Sequence, residues 1–120
     1  MVDDNSFCLA LYEQFLINNG FEDFLLFDNG MDCLQQFHLL PDIVLLDHDM
    51  SGINGIELLK EIKAIHDDVY VIMISGQKNP EARINALRHG VYAFIAKDEQ
   101  DLRALEQTLM LIVEKKLTNR

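Results

Sequence analysis

Two unbroken apolar stretches, IVLL at 43–46 and VYVIMI at 69–74, constrain this chain more than any other feature. A strand with one face in water alternates apolar and polar residues, whereas a run without a polar break suits a strand covered on both faces. Segments of helical period surround these runs. SFCLALYEQFLINNG places Phe7, Leu11, Phe15 and Leu16 on one face and stops at Gly20. FEDFLLFDNG reads as a short strand, Asp23 to Phe27, and a turn. MDCLQQFHLL is a second helix, ended by Pro41, and SGINGIELLKEIKAI is a loop and a helix with Ile56, Leu59 and Ile62 inward. VYVIMIS is rich in β-branched residues, as strands are. NPEARINALRHG is a helix with Asn79 as N-cap, Pro80 in its first turn and Gly90 as its stop. YAFIAK is a strand. The final helix, in EQDLRALEQTLMLIVEKKL, buries Leu102, Leu105, Leu109 and Ile112, while Met110, Val113 and Leu117 widen its apolar arc.

Strands and helices therefore alternate with short connections, which implies an α/β fold with a parallel sheet covered on both faces. The pattern needs a strand before the first helix, and only MV precedes Asp3. That strand is either short or truncated. With 120 residues and no linker, repeat or low-complexity tract, residues 1–120 are expected to form one domain. The net charge of −10 argues against DNA, RNA or anionic membrane as a partner and leaves room for a cation. Cys8 and Cys33 sit among apolar residues with no metal-ligand spacing, as reduced thiols of a cytoplasmic protein do. No apolar run has the length of a membrane span, and MVDDNSF is not a signal segment.

The strand ends carry the chemistry. In an open parallel sheet, ligands bind beyond the carboxyl ends of the strands. Those ends offer Asp3 and Asp4, Asp47, Ser75 and Lys97. Each alone reads as a solvated or turn residue; their convergence on one sheet edge does not. Carboxylates about 4 Å apart repel by roughly 4 kcal/mol at an effective dielectric near 20, so the cluster calls for a cation. Hard oxygen donors without Cys or His suit Mg2+. Lys97 supplies a fixed positive charge and Ser75 a hydroxyl, parts that suit a transferring phosphoryl group. Asp47, between the acidic pair and the lysine, is the candidate nucleophile that forms an acyl phosphate.

VDDN, PDIVLLDHDMSGINGIEL, VIMISG and GVYAFIAK, in this order and spacing, resemble a response-regulator receiver domain of bacterial two-component signalling. The resemblance covers essentially the whole chain. It implies a flavodoxin-like, doubly wound five-stranded parallel sheet of order 2-1-3-4-5. It also implies an Mg2+ site on Asp3, Asp4, Asp47 and the backbone carbonyl of Asp49, with Asp4 a direct ligand and Asp3 assisting. Asp47 would accept a phosphoryl group from a histidine kinase or histidine phosphotransfer protein. Ser75 and Lys97 would serve that transfer, and Ser75 and Phe94 would act as the switch pair. Such a domain is a phosphorylation switch that catalyses only its own phosphotransfer and autodephosphorylation. Its signalling face would comprise the helix after Pro80, the strand of Phe94 and the last helix, where phosphorylation would strengthen either a homodimer or binding to an output partner. Ser51 and Asp98 stand where many members carry proline.

Two other readings compete. DHDMS fits the Asp-x-Asp-x-Thr/Ser pattern of a haloacid-dehalogenase-type phosphatase, with Asp47 as nucleophile and Asp49 as acid/base. Element order opposes it, because that motif should follow the first strand and an acidic pair should follow the lysine. A degenerate receiver acting only as a protein-binding module is the other, opposed by the complete set of acidic residues, Ser75 and Lys97.

Overall fold

The faces of each strand explain the architecture of the computed structural model, which describes residues 1–37, 41–48, 54–76, 80–97 and 101–118. Three parallel strands, β1 (Ile43–Asp47), β2 (Tyr70–Ser75) and β3 (Ala93–Ala96), lie in the order β1-β2-β3. Side chains alternate across a sheet, and here both sets are apolar. Val44, Leu46, Val71 and Met73 enter one core with α2 (Gly30–Gln35), α3 (Gly55–Ile65) and α4 (Pro80–Arg88), through Cys33, Leu58, Leu59, Ile62 and Ala86. Leu45, Ile72, Ile74 and Ile95 enter the other with α1 (Ser6–Asn18) and α5 (Asp101–Thr118), through Tyr12, Phe15, Leu16, Leu105, Leu109 and Ile112. The unbroken runs are unbroken because both sides of the sheet are covered.

The two strands expected ahead of β1 are present as single bridges. Val2 pairs in parallel with Leu46 on one side and Phe27 on the other. Val2 N–H donates to Leu45 and Asp47 N–H to Val2, while Asp3 N–H donates to Phe27 and Phe27 N–H to Met1. The spatial order second, first, third, fourth, fifth is thereby kept. The expected strand Asp23–Phe27 is corrected to one bridging residue, Phe27. The Met1 amino group also donates to the Leu25 carbonyl at 3.0 Å. Below these residues lies a cavity of about 710 Å3, lined in part by Met1, Phe24, Leu25, Leu45 and Val113.

Asparagines start three helices: the side chains of Asn5, Asn29 and Asn54 accept from backbone N–H groups at the heads of α1, α2 and α3. Gly20 and Gly90, with φ of 85° and 93°, turn the chain after α1 and α4. Asn79, the expected cap of α4, lies outside the described residues, as do the end of the second helix at 38–40 and the Lys97–Asp98 bond.

The buried face of α1 also differs from expectation. Phe7 is 75% exposed and Leu11 43%, whereas Tyr12 is 1% exposed. The inward stripe is Cys8, Tyr12, Phe15 and Leu16, an i, i+4, i+7, i+8 set. Cys8 and Tyr12 take the places expected for Phe7 and Leu11, while Phe15 and Leu16 are inward as expected, because a buried hydroxyl serves as well once it has an acceptor. In α5, Leu105, Leu109 and Ile112 are buried and Leu102 is half-buried, while Met110 and Leu117 face solvent.

Candidate functional site

Asp3, Asp47 and Ser75 are the buried polar or charged side chains among the described residues, and all three end strands at the same sheet edge. Burying a charge is costly unless it is paired, so this concentration has a purpose other than packing. Asp47 closes β1, 2% exposed. The bridge at Val2 delivers Asp3 beside it, since Val2 and Leu46 are register partners. Asp3 Oδ1 accepts from Asn5 N–H at 3.0 Å. The turn that caps α1 thus also orients the carboxylate.

Oxygens of Asp3, Asp4 and Asp47 lie within 4.8 Å of one another. Lys97, just past β3, donates from Nζ to Asp47 Oδ1 at 3.1 Å and approaches Asp3 Oδ2 at 3.5 Å. Asp3 Oδ2 has this charge nearby but no hydrogen-bond donor, although it is buried. Asp3 and Asp47 share Lys97, Asp4 lies beside them, and a buried carboxylate oxygen of Asp3 has no hydrogen-bond donor. Both features fit a divalent cation held by hard oxygens. Burial pulls the Lys97 ammonium toward lower pKa, but the hydrogen bond and charge of Asp47, with the charge of Asp3, outweigh it and leave it above the ordinary lysine value.

Ser75 ends β2, fully buried, and its carbonyl accepts from Lys97 N–H at 2.7 Å. In the β2–β3 register Ser75 faces Ala96 and Met73 faces Phe94, so Ser75 and Phe94 point to the same side of the sheet two residues apart. Phe94 is half-buried and meets the edge of the His48 ring at 6.3 Å. Asp49, the remaining expected metal contact, lies outside the described residues.

Gly55 is a contributor that the sequence reading passed over. A Cβ there would sit 2.7 Å from His48 Cα and 2.9 Å from the Asp47 carbonyl oxygen. Only glycine lets α3 approach the end of β1 so closely. The signal was the Asn54-Gly55 pair, a cap followed by a residue without a side chain at the first helical position.

The family model described as "Response regulator receiver domain" matches residues 1–109. The chain belongs to the response-regulator receiver family. Among receivers, the chemotaxis protein CheY of Bacillus subtilis is 35% identical over 107 residues, covering 88% of this chain and 89% of CheY. The regulatory protein LuxO of Vibrio vulnificus is 32% identical over 98 residues, 81% of this chain. The chain spans about a fifth of LuxO's length, 21%. A chain of the CheX-CheY-BeF3-Mg2+ complex from Borrelia burgdorferi superposes with a TM-score of 0.85 at 27% identity, covering 93% of this receiver and 85% of that chain. These findings establish the flavodoxin-like receiver fold and a place in two-component signalling as a phosphorylation switch, and none favours the phosphatase. Receivers bind Mg2+ at an acidic pocket and work with histidine kinases or phosphotransfer proteins. No helix among the described residues is long and apolar enough to cross a membrane.

Proposed function

We propose that residues 1–120 are one receiver unit in which Asp47 accepts the phosphoryl group of a phosphohistidine. The observation that carries this is the burial of Asp47 at a strand end with Lys97 Nζ 3.1 Å away and two more carboxylates close by. A carboxylate oxygen of Asp47 attacks phosphorus, the P–N bond breaks, and the imidazole leaves with the bonding electrons. Asp3, Asp4 and Asp47 would hold Mg2+, with the Asp49 carbonyl as the further ligand that family likeness implies. When bound, the ion supplies positive charge against the phosphoryl oxygens. Lys97 pairs with a phosphoryl oxygen, and the Ser75 hydroxyl donates to another. Slow attack of water on the acyl phosphate restores Asp47.

The phosphodonor seats on α1, whose exposed Phe7 and Leu11 rise from the helix that begins at the acidic pair. As Ser75 is drawn to the phosphoryl group, Phe94 on the same face turns inward, shifting an existing equilibrium. The readout face is α4, β3 and α5, with Ile84, Leu87, Met110 and Leu117 exposed, and we include phosphorylation-dependent pairing of two copies through it. The net charge of −10 disfavours direct nucleic-acid binding, and the site of action is the cytoplasm. Transfer of label from a phosphorylated histidine phosphotransfer protein tests the donor. Label should move to the parent chain and not to Asp47→Ala; retention on the donor with both would overturn the reading. Sedimentation with and without beryllofluoride tests the pairing. An unchanged monomer in both states would remove it.

A further inference from the structure

The buried face of α1 carries one polar group, the hydroxyl of Tyr12, and the receiver chemistry above does not use it. Tyr12 is 1% exposed among Leu16, Leu105, Leu109 and Ile95. Its hydroxyl donates to Asp101 Oδ2 at 3.0 Å. Burial first, and the bond to Asp101 second, push the phenol far above the ordinary tyrosine range, so it stays a donor. Asp101 is the first residue of α5 and stands four residues after Lys97.

The bond therefore joins two elements that each begin at the site. The head of α1 is tied to Asp3 through Asn5 N–H at 3.0 Å. Seven residues further along α1, Tyr12 holds the start of α5. The near end of the connection from β3 to α5 is Lys97, whose backbone N–H is fixed on Ser75 and whose ammonium reaches Asp47 and Asp3. A lysine side chain has many rotamers, and its reach across 3.1 Å to Asp47 needs the backbone leaving β3 to be held at both ends. Ser75 holds one end, and Asp101, gripped by Tyr12, holds the other. Each of the two bonding residues could pack without the other: a phenylalanine would fill the same apolar space, and an acidic residue in the first turn of a helix is favourable by itself. Their pairing is what needs a further reason.

From this geometry we infer that Tyr12 is a positioning residue for Lys97, acting through its hydrogen bond to Asp101. The inference rests on the receiver reading. When the hydroxyl is lost, Lys97 samples positions away from Asp47 and phosphoryl transfer slows, while Asp3, Asp4 and Asp47 keep their places, and withdrawal of a competing positive charge does not weaken their hold on a cation. The test compares the parent with Tyr12→Phe, Asp101→Ala and the double variant. Two quantities are measured on each: the phosphorylation rate with acetyl phosphate at saturating Mg2+, and the dissociation constant for Mg2+ alone. Tyr12→Phe should lose roughly tenfold in rate, and its Mg2+ dissociation constant should rise by no more than about twofold, taking the loss of one hydrogen bond as the scale. Asp101→Ala, which removes the acceptor, should be slowed as well. The double variant should be no slower than the slower single one, because both remove the same bond. A general loosening of the fold would instead weaken Mg2+ binding in step with the rate. Rates for Tyr12→Phe equal to the parent's, a parallel loss of Mg2+ binding, or losses that multiply in the double variant would each overturn the inference. A parent that takes up no phosphoryl group would overturn the receiver reading itself, and this inference with it.

Discussion

Lys97 faces two buried carboxylates, and its energetics can be read from its surroundings. Its side chain is 25% exposed, so water screens part of the interaction with Asp47. A hydrogen bond to a charged group contributes about 1.5–3 kcal/mol, and partial exposure lowers that to about 1–2 kcal/mol here. Lys97→Met should therefore lose about that much in urea denaturation at neutral pH, and Mg2+ should recover part of it by replacing the missing positive charge. The pH dependence follows from the raised pKa of Lys97. A group whose folded pKa lies above its unfolded one contributes fully below the unfolded value, about 10.4 for lysine. Its contribution is lost as pH rises through the folded value. The gap between parent and Lys97→Met should thus stay constant across neutral pH and close only under strongly alkaline conditions. A gap that closed between pH 6 and 8 would show that another group is responsible.

Among the elements, α3 and β1 meet where Asp47 leaves the sheet. Gly55→Ala would place a Cβ 2.7 Å from His48 Cα, backbone that cannot step aside as a flexible side chain can. Overpacking of this kind costs about 1–3 kcal/mol. Chemical denaturation should find that loss, together with weaker Mg2+ binding, because the carbonyl of Asp47 is 2.9 Å from the same Cβ. Normal stability with normal Mg2+ affinity would mean that α3 can retreat without disturbing Asp47. What was legible in the sequence was what each element states locally. Ile43–Leu46 and Val69–Ile74 announce strands covered on both sides, and glycines 20 and 90 announce helix ends. The reduction of the second strand to Phe27 depends on its pairing with Val2, a contact between distant residues that local pattern does not contain. The inward turn of Tyr12 depends on an acceptor 89 residues away, Asp101. The close approach at Gly55 likewise arises only in three dimensions. At the site, Asp3, Asp4, Asp47, Ser75 and Lys97 could be named because each ends an apolar run. Asn5 and Gly55, which orient and admit them, end none.

For the molecule as a whole, the acidic balance and the crowded carboxylates should make cation binding part of stability. Ligand binding to the folded state alone stabilises by RT ln(1 + [L]/Kd), about 1.4 kcal/mol at ten times Kd. Millimolar Mg2+ should raise the melting temperature by about 3–6 °C, on the size scaling for small domains. Asp4→Asn should reduce that shift more than Asp49→Asn, because the role implied for Asp49 is played by its backbone carbonyl. The absence of any shift would argue against the cation site. The receiver account stands most directly on where the phosphoryl group goes. Acetyl phosphate and Mg2+ should add one phosphoryl group to the parent chain, labile to hydroxylamine, and mass spectrometry should place it on Asp47. Asp47→Ala should take up none. A phosphoryl group mapped to any other residue, or uptake by Asp47→Ala equal to the parent's, would contradict the account.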